Sequence, residues 1–99
     1  MKIKIETRPP NYIMSFNERL QQIRKEKGIS QKLICVKIGI SETLYQRYEY
    51  GLTEPTLSKL LLLSDFFDTS LDYLVGRTDV PEINRGKVAG VVEGGLNEN

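Results

Sequence analysis

An all-α domain of five short helices is predicted by two observations. Ser15, Ser30, Ser41, Thr56 and Ser70 each stand just before a segment with apolar residues at helical spacing. A hydroxyl oxygen at such a position accepts from a backbone N–H that the helix start leaves free. Gly28, Gly39, Gly51 and Gly76 then punctuate the segments, at points where a helix has to stop or the chain has to turn.

Residues 1–13 stand apart from this pattern. Lys2, Ile3, Lys4 and Ile5 alternate with a strand-like period, and Pro9-Pro10 blocks any helix. The stretch is expected to be a loose N-terminal arm, with a partner-pairing strand or a basic arm on DNA phosphates as sharper readings. The first helix should cover residues 16–27. Ser15 and Glu18 fit a capping box, Phe16, Leu20 and Ile23 form the inner stripe, and Gly28 ends it. The second should cover residues 31–38, with Ile34, Cys35 and Ile38 inward, and the third residues 42–50, with Leu44 or Tyr45 inward alongside Tyr48. Residues 51–55 form a loop. The fourth helix should start after Pro55, capped by Thr56, and reach Phe67, with Leu57, Leu60, Leu61, Ser64 and Phe67 as its inner face. The fifth, residues 71–75, is capped by Ser70 and ended by Gly76, with Leu71 and Leu74 closing the core. Residues 80–99 hold four glycines and three asparagines. They are expected to be a flexible tail in which only residues 88–92 have the composition for order.

The 99 residues suit one domain with tails, drawn as an arm over 1–13, a domain over 14–79 and a tail over 80–99. The net charge of +1 does not announce a nucleic-acid partner. Its distribution is uneven, however. Residues 17–55 carry seven basic against five acidic groups, and residues 56–79 two against four. The first three helices are therefore the positive end of the domain. Histidine is absent and Cys35 is the single cysteine. That removes the usual general base and metal ligand, an internal disulfide and a cysteine metal cluster. No cofactor, no metal and no enzymatic activity are expected. With no signal-peptide pattern and no long apolar run, a soluble cytoplasmic protein off the membrane is the expectation.

Residues 29–51 organise the chain. Cys35 is small, Gly39 follows four residues later, and Tyr45 and Tyr48 lie six and nine beyond the glycine. This is the layout of two helices crossing closely at a tight turn, a helix-turn-helix. Ser30-Gln31, Gly39, Ile40-Ser41, Arg47-Tyr48-Glu49, Gly51 and Pro55 together resemble the Cro/repressor-type (Xre-like) helix-turn-helix family. The likeness runs on through Ser70-Leu71-Asp72-Tyr73-Leu74 to Gly76-Arg77-Thr78. It implies a five-helix lambda-repressor-like DNA-binding domain whose third helix enters the major groove.

The resemblance also implies roles for individual residues. Glu42, Thr43 and Arg47 match positions that read bases in the resembling phage repressors. Arg47 suits a bidentate grip on guanine, Glu42 a cytosine amino group and Thr43 a thymine methyl. Gln46 shares their face as a weaker candidate, for adenine or a phosphate. Gln31 matches a glutamine that bonds a phosphate and braces the recognition helix. Ser41, Tyr50 and Thr53 match positions near the DNA backbone. Arg24 and Glu49 match a structural ion pair. Each polar position has a plainer reading as well. Ser30 serves as a cap, Glu42 favours the helix dipole, Arg47 is solvated and Tyr50 packs on the surface.

Several positions depart from the family pattern. Leu52 stands where a basic residue is common, Tyr45 where a branched aliphatic is usual, and Asp68 where glycine is frequent. Leu62 stands where a polar residue is usual, and Phe66 lies one turn on. With Tyr73 they form a candidate two-fold interface, which would set two copies of the third helix about 34–36 Å apart. The functional expectation is a sequence-specific DNA-binding transcriptional regulator, a repressor that occupies an inverted-repeat operator as a homodimer. The alternative is an antitoxin-like or other protein-interaction module that binds DNA only with a partner. A toxin or an antirepressor are the protein partners considered.

Overall fold

The computed structural model describes residues 11–84. Among these the structure is five helices: α1 (Phe16–Glu26), α2 (Gln31–Ile38), α3 (Glu42–Glu49), α4 (Leu57–Phe67) and α5 (Leu71–Leu74). The expected alternation at residues 1–7 and order at 88–92 lie outside the described residues. Every helix opens on a hydroxyl cap. Ser15, Ser30, Ser41, Thr56 and Ser70 accept from Glu18, Leu33, Leu44, Lys59 and Tyr73 N–H. Ser15 and Glu18 close the capping box reciprocally. Lys27, Tyr50 and Val75, each expected as a last helical residue, are instead C-caps.

Two glycines carry the sharp turns. Gly39 adopts φ 76°, and its N–H returns to the Cys35 carbonyl at 2.8 Å. A side chain there would meet nothing within 4 Å, so only the left-handed backbone demands glycine. Gly76 (φ 90°) is constrained twice, since a Cβ would lie 2.0 Å from the Met14 carbonyl oxygen. Asp68 takes the left-handed position after α4 (φ 55°), a conformation that Asp tolerates better than most residues.

The helices enclose one core. α1 packs on α3 and α5, α2 on α3 and α4, and α4 on α5. Leu20, Ile23, Ile34, Cys35, Ile38, Tyr45, Tyr48, Leu63, Phe67 and Leu74 fill it. Both Tyr45 and Tyr48 point inward, with Leu44 packed at the margin. The inner face of α4 is turned from its expected setting. Leu63, Ser64 and Phe67 are buried, Leu60 is half-buried, and Leu57 and Leu61 are exposed. The uninterrupted run Leu60 to Leu63 carries no periodicity, so contact with α2 and α5 decides which leucines enter.

Arg19 was not foreseen as an interior residue, yet it is only 1% exposed. Its Nη1 donates to the carbonyls of Tyr73 (3.0 Å) and Thr78 (3.1 Å), and its Nη2 to the Asp79 carboxylate (3.0 Å). Its guanidinium also lies 3.9 Å from the centre of the Tyr73 ring, within cation–π range. Tyr73 is thereby withdrawn from the candidate interface. It is buried, at 9% exposure, with the guanidinium over its ring. Two backbone hydrogen bonds involve residues next to the expected domain of 14–79. Ile13 N–H donates to the Gly76 carbonyl at 2.7 Å, and Ser70 N–H to the Pro81 carbonyl at 2.9 Å.

Candidate nucleic-acid interface

α3 presents one locked face and one free face. Tyr45 and Tyr48 are buried beneath it, while Glu42, Thr43 and Arg47 are exposed on the other side. Ser41 is exposed, and its hydroxyl oxygen is used as the α3 cap. Tyr50 is 67% exposed at the far end, and Thr53 is half-buried in the following loop. Leu52 is exposed beside them. Gln31 and Gln46 are half-buried, at the start of α2 and on α3.

A polar cluster fixes the position of α3. Arg24 on α1 grips Glu49 with two nitrogens, Nε to Oε2 at 2.5 Å and Nη2 to Oε1 at 3.1 Å. Such a fork matches the planar carboxylate in a way a lysine cannot. Arg24 also donates to the Ile29 carbonyl, just before α2. The Gln21 amide donates to the Glu49 carbonyl at 2.6 Å, satisfying one of the acceptors left free where α3 ends. Gln31 Nε2 donates to Glu49 Oε1 at 3.1 Å, and Gln46 Nε2 donates to Gln31 Oε1 at 3.3 Å. The Glu49 carboxylate therefore ties α1 and the start of α2 to the end of α3.

The electrostatics follow from this arrangement. Burial works against the Glu49 anion, but the Arg24 fork, the adjacent Tyr45 hydroxyl and the Gln31 amide more than offset it. Its pKa is held below the ordinary carboxyl value. The Tyr45 hydroxyl is buried next to that carboxylate and closes no hydrogen bond of ordinary geometry. Burial first, and then the negative Glu49, push its pKa up, so it stays protonated. Cys35 is buried at the α2–α3 crossing with its Sγ 3.7 Å from the Ser41 carbonyl oxygen. Burial, with Glu42 and Glu49 nearby, raises its thiol pKa, the opposite of a reactive thiolate.

Sequence reading missed Arg19, Gln21, Leu63 and Asp79. Helical spacing did place Arg19 inward, three residues after Phe16 and four before Ile23. A charged residue is ordinarily assigned to the surface, however, because it is rarely buried without partners. Those partners lie 54 to 60 residues further along the chain. Among the described residues no group of three or more His, Cys, Asp or Glu is placed to hold a metal ion. No helix there is long and apolar enough to cross a membrane.

Comparison with known proteins matches this architecture. A family profile described as Helix-turn-helix matches residues 20–74. The chain is 38% identical over 65 residues to the HTH-type transcriptional regulator YobD of Bacillus subtilis (strain 168), covering 66% of this chain and 58% of that one. It is 39% identical over 64 residues to the cryptic phage CTXphi transcriptional repressor RstR of Vibrio cholerae serotype O1, covering 65% and 57%. The chain spans roughly half to three-fifths of the length of such curated relatives. The crystal structure of the P22 c2 repressor in complex with a synthetic operator superposes with a TM-score of 0.62 at 31% identity, over 66% of this chain and 98% of that one. The capped α2–Gly39–α3 unit, the five-helix architecture around it and the profile match have one meaning: this chain belongs to the helix-turn-helix family.

Proposed function

We propose that this chain is a sequence-specific DNA-binding repressor that acts by occupying its operator as a homodimer. It is a cytoplasmic protein on this reading, with no catalytic step. α3 lies in the major groove, which is wide enough for one helix. Arg47 grips a guanine, Glu42 accepts from a cytosine amino group and Thr43 touches a thymine methyl, with Gln46 on the same face. Ser41, Tyr50 and Thr53 approach phosphates, as does the free N-terminus of α2 at Gln31. The single observation that carries the reading is the division of α3. Its inner face is locked to α1 by Arg24, Gln21 and Glu49, while its exposed face carries Glu42, Thr43 and Arg47, side chains of the kinds that suit base edges.

A dimer would use the outer flank of α4. Leu62 is 42% exposed and Phe66 is half-buried one turn on. Two copies joined there would offer two α3 helices to successive major grooves of an inverted repeat. Selection from random duplex DNA with the purified full-length chain tests the proposal. Enrichment of an inverted repeat with half-sites about one helical turn apart is the expected result. Absence of enrichment at low salt would contradict it and turn the search to a protein partner.

A further inference from the structure

A cleft of about 330 Å³ lies between the start of α1, the loop 51–55 and the end of α5. Binding sites for small organic molecules begin at about this size. Tyr48, buried on α3, forms its floor, on the side of the helix turned away from Glu42, Thr43 and Arg47. Tyr12 and Phe16 add two more aromatic walls, and Pro55, Leu60 and Val75 contribute apolar surface. Polar groups are few. The Ser15 hydroxyl is spent on Glu18, accepting from its N–H at 3.4 Å and donating to its Oε1 at 3.0 Å. The half-buried Asn17 amide rests against Gly51, where an added Cβ would lie 3.3 Å from it. Among the described residues no hydrogen bond engages that amide. It offers one donor group and one acceptor to an occupant.

We propose that this cleft binds a small, uncharged aromatic molecule whose one polar group bonds the Asn17 amide. The rings of Tyr12, Phe16 and Tyr48 suit an aromatic body, which gains from edge and offset contacts as well as from burial. Charge of either sign meets an adverse neighbour. An anion would face the Glu54 carboxylate at the mouth and Glu18 in the first turn of α1. A cation would face the positive end of α1 at Phe16 and Asn17. It would also face Arg77, whose guanidinium lies 5.8 Å from the centre of the Tyr12 ring and bonds Asp72 at 3.3 Å. A neutral molecule meets neither cost. The inference does not depend on the DNA reading, because the exposed face of α3 takes no part in the cleft.

The test is an amide-resolved NMR titration of the full-length chain at neutral pH with three indoles of matched size. Tryptophol is the neutral probe, indole-3-acetate the anion and tryptamine the cation. Tryptophol should bind saturably, with shifts centred on Tyr12, Asn17, Thr53 and Val75. It should bind about tenfold more tightly than either charged relative. Asn17→Phe places a ring in the cleft and should weaken tryptophol by about tenfold or more with the fold intact. The absence of saturable shifts overturns the proposal, as do shifts centred on the α4 flank at Leu62 and Phe66. A charged indole that binds as tightly as tryptophol overturns it too, and so does unchanged affinity in a folded Asn17→Phe. Should that variant prove unfolded by its amide spectrum, Val75→Phe fills the same cleft from the end of α5 and takes its place. If neither variant folds, the wild-type shift map and the order of the three probes decide alone.

Discussion

Arg24 and Glu49 are the residues on which the position of α3 depends most. The Glu49 side chain is 3% exposed and that of Arg24 17%, so removing the arginine strands a buried anion. Arg24→Ala should cost about 3–5 kcal/mol in urea unfolding, the range for breaking a buried pair from one side. The pH dependence has a definite sign. The Glu49 carboxyl has a lower pKa folded than its ordinary value of 4.5. Its contribution to stability is fully present above that value and is lost as pH falls through the folded pKa. Between pH 7 and pH 3 the wild type should lose stability more steeply than Glu49→Gln, which starts less stable. Equal slopes in denaturant titrations would contradict the assignment. At this scale the caps were legible because a Ser or Thr and the N–H it accepts from are three residues apart. Arg19 was not, because a buried cation becomes sensible only when Tyr73, Thr78 and Asp79 are seen around it.

Each helix, taken as an element, was readable where its signals are local and unreadable where packing chooses. α2 and the start of α3 are fixed by Ser30, Gly39 and Ser41, and they stand where spacing puts them. The rotation of α4 about its axis is set by its neighbours, which a run of leucines cannot anticipate. Leu63→Ala should therefore cost about 2–5 kcal/mol, and Leu61→Ala, at an exposed position, about 0.5 kcal/mol or less. Comparable losses for the two in chemical denaturation would contradict the observed facing. The turns make a second contrast. Gly39→Ala meets open space and should cost only the left-handed backbone strain, about 1–2 kcal/mol. Gly76→Ala adds a collision with the Met14 backbone, and its melting temperature should fall further than that of Gly39→Ala.

Across the whole molecule, the ends of the domain are held together beside α5. Ile13 and Met14 bond to Gly76, Arg19 reaches Asp79, and Ser70 bonds to Pro81. No local pattern marks such contacts, which join residues far apart in the chain. The outer flank of α4 lies apart from this closure, with Leu62 exposed. Leu62→Glu should shift sedimentation toward the monomer and weaken operator binding while leaving the fold intact. Unchanged sedimentation would remove this surface as the dimer contact.

On the function proposed above, the exposed face of α3 reads bases. The measurement that tests it most directly is a base-substitution scan of the selected operator with wild type and Arg47→Ala. Loss of discrimination confined to one G·C pair in each half-site, by about 1–3 kcal/mol, is expected. Equal weakening at every position, or no change at any, would contradict it.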